Sequence, residues 1–459
     1  MRASNRRGLA RFLPLDQLSM GRNSQVREAP KSVETREGGN RPMRVCILNE
    51  FFFPDMMGGT GMVLSDLARL LHDRHGVRVD VWTSGNSYRG GEESYPPFED
   101  WNGIQIRRLR IRPVERSRTR ERMVVNLWFA LKVMLRLILR HPYDCVLVST
   151  APPSLPLAAW FLRKVFGIPY LYVIYDLEPD RAVALQVASA QNRFVRIAKV
   201  LQRAWLKGAA RVVAIGRCMR DHLVEQYGLE PDSVHVLEIG ANPEAISPRP
   251  RDNAVRRRFA PEGGFLVVNS GNFARYHDFD AVLDAAKELR DKAPDVRFLL
   301  VGNGVKEQHV RERVRNERID NVTVEQFLPA EEYVDLLAAA DVCLVTLEQG
   351  MVGLCVPSKF YSILSAGRPT LAMMDERCEV ARVIREEDCG EVVPPASASG
   401  LAETILRLRN EPERLSAMGA NARRALEERF SYEAVAERLY RILALEARVP
   451  SVELPRAAL

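Results

Sequence analysis

From Met43 onward, short apolar runs alternate with amphipathic stretches. "RVCIL" (44–48) reads as a buried strand, "GMVLSDLARLLHDRHG" (61–76) as a helix closed by a glycine, and "VRVDVWT" (77–83) as the next strand. "YDCVLVS" (143–149), "IPYLYVIYD" (168–176) and "ARVVAIG" (210–216) continue the series, with helical stretches between them. Continuous apolar runs mark strands covered on both faces, as parallel sheets require. The rhythm breaks at 240–263, where proline, charge and small residues predict a linker. It then restarts with strands at 264–271 and 296–302, helices at 278–292 and from about 305, and further strands near 322–325, 341–347 and 369–374. Beyond 397 the pattern is mostly helical, ending in "SYEAVAERLYRILALEA" (431–447). The expectation is an α/β chain of two doubly wound Rossmann-like domains, 43–245 and 246–430, facing each other across a cleft, with a closing segment at 431–459.

Charge changes this picture little. The chain carries +7, but residues 1–42 hold nine Lys/Arg and four Asp/Glu and so account for +5 of it. That basic stretch lacks apolar periodicity and is expected to be a disordered tail, or an extension ahead of a natural start at Met43. The remainder is nearly balanced, which argues against nucleic acid as a partner. The seven cysteines are scattered without a CxxC pair and read as buried free thiols rather than metal ligands. No apolar segment reaches the length of a membrane span. The nearest, "MVVNLWFALKVMLRLIL" (123–139), is interrupted by Lys132 and Arg136 and follows a stretch, 107–122, with eight Arg and two Glu. Such a pair of segments either lies on an anionic membrane surface or is a core helix behind a solvated basic loop.

In open parallel sheets, ligands bind beyond the carboxyl ends of the strands, so chemistry is sought in the loops that follow them. "NEFFFPDMMGGTGMVLSDLA" (49–68) brings Gly58 and Gly59 to the first strand's end, either lining a ligand or making a flexible turn; its spacing matches neither GxGxxG nor a P-loop. "VNSGNFARYHDF" (268–279) supplies Gly271 for a tight turn, with Asn272, Arg275 and His277 where a diphosphate would sit. "VGNGVKEQHV" (301–310) places Gly302 and Asn303 beside a base or ribose, or forms an ordinary turn. "GLCVPSKFYSILSAGRP" (353–369) begins a short helix at Pro357, Ser358, Lys359 and Phe360; its first amides and the Lys359 ammonium suit an anion of phosphate type, while a capped structural helix is the alternative. "YDLEPDRA" (175–182) puts Asp176, Glu178 and Asp180 at a strand end, where one carboxylate can orient or deprotonate a sugar hydroxyl.

Taken in order, "VLVSTAPPSLPLAAWFL", "YDLEPD", "SGNFARYHDFDAVLDAA", "VGNGVKEQHV" and "VPSKFYSILSAGRP" resemble the family-four retaining glycosyltransferases of GT-B fold, in the branch that builds capsule, O-antigen and colanic-acid-type polysaccharides. The resemblance spans about 43–447. It implies transfer of a sugar from a UDP- or GDP-linked donor to a saccharide hydroxyl with the anomeric configuration kept, without metal or further cofactor. The donor is then held by the second domain and the acceptor by the first, with the final helix returning to the first domain. Two glutamates usual in that family fall here on Leu354 and Ser362, and its usual Arg and Lys fall on Asn272 and His277. Arg275 then stands in for the missing charge, Ser358 and Lys359 take the diphosphate, Glu379 serves the donor's ribose or sugar, and Asp176 replaces an acceptor-loop histidine. The resulting expectation is a cytoplasmic enzyme, peripheral on the inner membrane face, acting on a lipid-linked saccharide. A sugar-nucleotide epimerase and an inactive scaffold are the rival readings.

Overall fold

The apolar runs become the interior strands of two separate sheets. The computed structural model describes residues 41–55, 59–86, 95–112, 114, 119–140, 143–261 and 263–446; the expected basic tail, apart from its last two residues, lies outside them. The first sheet is built from β1 (Arg44–Leu48), α1 (Gly59–His75), β2 (Arg78–Ser84), β3 (Phe98–Trp101), β4 (Ile104–Leu109), α2 (Thr119–Leu139), β5 (Cys145–Ser149), α3 (Pro156–Phe166), β6 (Tyr170–Ile174), α4 (Asp180–Ala184), α5 (Arg193–Gly208), β7 (Arg211–Ala214), α6 (Arg217–Tyr227) and β8 (Val234–Val236). Its strand order is β3-β4-β2-β1-β5-β6-β7-β8, parallel except for β3. The chain reverses its direction of growth between β1 and β5, where Val45 pairs with Val79 on one side and Cys145 on the other.

The second unit contains α7 (Ala254–Phe259), β9 (Phe265–Ser270), α8 (Asp280–Lys292), β10 (Val296–Val301), α9 (Glu307–Asn316), β11 (Val322–Glu325), α10 (Tyr333–Ala339), β12 (Val342–Thr346), α11 (Lys359–Ser365), β13 (Thr370–Met373), α12 (Glu379–Glu387), β14 (Gly390–Val393), α13 (Ala398–Arg409), α14 (Pro412–Ala425) and α15 (Tyr432–Glu446). The sheet is wholly parallel in the order β11-β10-β9-β12-β13-β14. Its reversal lies between β9 and β12, so the loops leaving those two strands diverge and open a crevice there. α15 packs back on α1 of the first unit, with His75 stacked on Tyr440 at 4.2 Å.

Two segments differ from expectation. Residues 240–263 are not a plain linker: α7 lies within them, and its Arg256 reaches buried Asp341 at 2.9 Å while Leu266 N–H donates to the same carboxylate at 2.7 Å. The second difference concerns the basic stretch from 107. Arg107 and Arg108 belong to β4, paired antiparallel with β3 across an Asn102-Gly103 turn in which both residues have positive φ. The Arg108 side chain is buried, paired with Glu99 at 2.6 Å and donating to the Phe53 carbonyl at 2.6 Å. An ion pair of that kind is structural, so Arg108 does not belong to the solvated basic stretch.

Candidate active site

Three loops at the carboxyl ends of β9, β10 and β12 come together backbone against backbone. Gly271, Gly302 and Gly304 all have φ near +149°. A Cβ on Gly302 would stand 1.8 Å from the Gly271 carbonyl oxygen, and one on Gly304 would stand 2.3 Å from Asn272 Oδ1. The loops are stitched by Gly271 N–H to the Val301 carbonyl (2.9 Å) and Phe273 N–H to the Asn303 carbonyl (2.7 Å). Only glycine combines this backbone region with so close an approach.

Lys359 lies over this junction. A Cβ on Gly271 would meet its Cε at 2.8 Å and its Nζ at 2.9 Å, so the bare glycine leaves room for the ammonium. Nζ is 3.4 Å from Oδ1 of Asn269, a fully buried residue whose amide nitrogen is anchored on the Leu344 carbonyl at 2.9 Å. Among the described residues Lys359 makes no ion pair. Loss of water at its half-buried position pushes its pKa down to about 8. An uncompensated, partly dehydrated cation is poised to gain from an incoming anion. The mouth is not sealed, because Ser358, Asn272, Asn303 and Arg275 are exposed. Ser358 occupies the position before α11, yet its hydroxyl makes no capping bond; it lies 3.8 Å from where a Gly59 Cβ would stand, facing the first unit. Gly58 falls outside the described residues.

Other expected site residues have different employment. Phe360 is fully buried and packs edge-on against Tyr361 at 5.5 Å, so its ring is core rather than ligand wall. Pro357 is buried as well. His277 is buried, with Nδ1 2.5 Å from the Thr346 carbonyl. Burial first, and the neighbouring Lys359 ammonium second, hold its pKa well below the usual imidazole range, which leaves it neutral and unable to replace a lost cation. Glu379 is buried at the start of α12, where it accepts from Arg217 Nε at 2.8 Å and from the backbone N–H groups of Arg217 and Cys218. It therefore caps α6 of the opposite unit instead of reaching for a ribose, and the Arg217 guanidinium is shared between Glu379 and Glu386. Arg382 adds a second clasp to Asp221 at 3.2 Å.

Asp176 sits where the units meet. It bridges to Cys355, and Leu177 N–H donates to the Leu354 carbonyl at 3.0 Å. Its carboxylate pairs with Arg181 at 2.6 Å; burial, the largest influence, raises its pKa, and Arg181 opposes the rise. Arg181 also holds Glu178 at 2.7 Å and lies 5.5 Å over the ring of Tyr276, the neighbour of Arg275. Asp180 is turned away, bound to Lys199 and Tyr227. Sequence reasoning passed over Arg181, Tyr276 and Asn269. Only Asn269 carries a local signal, an amide in the middle of an apolar strand.

Residues 58–240 match the family described as glycosyl transferase 4-like domain, and residues 250–425 match glycosyl transferases group 1. The chain belongs to the GT-B glycosyltransferases. Among similar proteins, a probable glycosyltransferase WbjE of Pseudomonas aeruginosa is 29% identical over 289 residues, 63% of this chain and 71% of that one. A D-inositol 3-phosphate glycosyltransferase of Thermomonospora curvata is 24% identical over 381 residues, 80% and 85% of the two chains. Of solved structures, sucrose-phosphate synthase of Thermosynechococcus elongatus superposes with a TM-score of 0.69 at 20% identity, covering 88% of this chain and 99% of that one. Anabaena HepE in complex with UDP superposes at 0.65 and 16% identity, covering 88% and 100%. In this GT-B chain the glycine junction and Lys359 lie on the second unit, and Asp176 and Arg181 reach toward them from the first.

The depressed pKa of Lys359 has a measurable consequence. An anion paired with its ammonium keeps it protonated, so diphosphate affinity should be flat as this group goes below about pH 8 and fall above it, by up to about tenfold per pH unit. Titration of UDP against the protein at a series of pH values checks this; a flat profile through pH 9 would remove Lys359 from the contact.

Proposed function

We propose that this protein is a retaining glycosyltransferase that moves a sugar from a nucleoside diphosphate donor to a hydroxyl of a saccharide, most simply a lipid-linked one in cell-surface polysaccharide assembly. The observation that carries the reading is the Lys359 ammonium, without an ion-pair partner among the described residues, over the glycine junction of β9 and β10. As the bond to the anomeric carbon breaks, negative charge grows on the departing diphosphate, and a fixed cation with loop amides stabilises that charge more than it stabilises the bound donor. Arg275, exposed on the same loop, is free to add a bidentate contact. The relation to WbjE, itself a probable glycosyltransferase, supports sugar transfer as the reaction, and the UDP held by HepE makes UDP sugars the first donors to test. Asp176, at the other wall, orients the acceptor hydroxyl; its pairing with Arg181 favours the carboxylate against the rise that burial imposes.

A thermal-shift panel of UDP- and GDP-sugars, followed by NMR of the product formed with a saccharide acceptor, tests this reading. Donors that bind stabilise the native state by mass action. The expected product keeps the donor's anomeric configuration, and no new sugar nucleotide forms without acceptor. An altered sugar nucleotide without acceptor would identify an epimerase, and binding without turnover across donors and acceptors would identify a scaffold.

A further inference from the structure

Three helices of the first unit form one layer, α2 beside α3 and α3 beside α5. Their outer surface is apolar to a degree that packing does not explain. On α5 the buried side is Val195, Gln202, Trp205 and Leu206. Phe194, Ile197, Val200 and Leu201 point the other way, and Val200 is 68% exposed. On α2 the exposed apolar residues Val124, Trp128, Leu135 and Leu139 recur at helical spacing, with Trp128 55% exposed. Val165 continues the surface on α3.

The charge on this layer has one sign. α2, α3 and α5 together hold eleven Lys/Arg and a single acidic residue, Glu121. On α5 the cations Arg193, Arg196, Arg203 and Lys207 lie along one flank of the apolar stripe. On α2, Lys132 lies 5.6 Å over the Trp128 ring. The opposite layer is built differently: α1 and α15 carry charges of both signs and pair them, as Arg74 does with Glu433. An outward helix face that is half apolar and half cationic is the composition that settles into an anionic bilayer surface, with aliphatic and aromatic groups among the acyl chains and Lys/Arg at the phosphates. Among the described residues no helix is long and apolar enough to cross a membrane, so the contact is an interfacial one. In a doubly wound sheet the helices run antiparallel to the strands, which brings the N-terminal ends of α2 and α5 to the edge where the loops of the site lie.

We infer that the α2–α3–α5 layer docks this enzyme on an anionic phospholipid surface, with α5 as the principal contact, and so holds the Asp176 side of the cleft against the bilayer where a lipid-linked acceptor presents its saccharide. The acceptor clause rests on the function proposed above; the docking itself does not. The test is cosedimentation of the full chain, without nucleotide, with phosphatidylcholine vesicles with and without phosphatidylglycerol. Binding should be about tenfold or more tighter to the anionic vesicles. Ile197→Ser with Val200→Ser should weaken it about tenfold, and Arg193→Gln with Arg196→Gln should remove most of the preference for phosphatidylglycerol. All four side chains are exposed, so unfolding temperature and UDP affinity should stay at wild-type values. Equal or absent binding to both vesicle types overturns the inference. So does concentration-dependent self-association in sedimentation velocity that the same serine substitutions abolish, which would assign the face to a second copy. Loss of UDP binding in the wild type with vesicle binding intact would defeat the proposed function and leave the docking surface standing.

Discussion

Lys359→Ala should weaken UDP or GDP binding by about 1–3 kcal/mol, roughly 5- to 150-fold, with a loss of turnover at least as large. The range is that of a charge-assisted contact, and the turnover clause follows because charge on the diphosphate is greatest as it leaves. The same substitution should not harm the unliganded protein. Folding lowers this lysine's pKa to about 8, below its ordinary value near 10.5. A base shifted in that direction costs stability where it is protonated, and the cost fades as pH rises from about 8 toward the ordinary lysine range. At neutral pH the alanine variant should therefore unfold at a temperature equal to or above the wild type while binding donor worse. A residue that merely supported the loop would show the reverse, a lower unfolding temperature together with weaker binding. Calorimetry and thermal melting on the same two proteins separate the cases.

The second large effect is expected from Gly302→Ala. The added methyl would stand 1.8 Å from the Gly271 carbonyl oxygen, a backbone atom that yields only if the loop after β9 moves, and the alanine would also have to adopt φ near +149°. Strain and overpacking together should cost about 2–4 kcal/mol of stability, and UDP binding should be lost as Gly271 moves off Lys359. Gly350→Ala is the matched control: Gly350 also has positive φ, +85°, but nothing lies within 4 Å of an added Cβ. It should cost only about 1 kcal/mol and leave UDP affinity unchanged. Urea unfolding with calorimetry on both variants checks the pair; equal effects at the two positions would show that close loop packing is not what Gly302 provides.

The layout of strands was legible because a parallel strand buried on both faces has to be apolar throughout, and "RVCIL" or "FLVVNS" leaves little else to read. The β3–β4 hairpin was missed although Asn102-Gly103 is a strong turn signal. The arginines after it read in the sequence as one basic block, whereas Ile104 and Ile106 alternate inward along β4. Nothing local reveals that Arg108 turns in toward Glu99, since the partner lies across the turn. The glycine loops and Lys359 were readable from their place after strands. The use of Glu379 was not, because its partner Arg217 is 162 residues away and meets it only when the two units come together. The α5 stripe is hidden for a related reason: "RFVRIAKVLQRAWLKG" is apolar around most of its circumference outside one cationic flank, and periodicity does not say which part of that surface another helix or strand covers.

The central claim is that the Lys359 ammonium receives the diphosphate. Its most direct test is the number of protons taken up on UDP binding, measured by calorimetry at about pH 9 in buffers of different ionisation enthalpy. At that pH most of the free lysine is neutral, so the account predicts uptake of nearly one proton by the wild type and none by Lys359→Ala. UDP binding to both proteins with equal affinity and no proton uptake would contradict it.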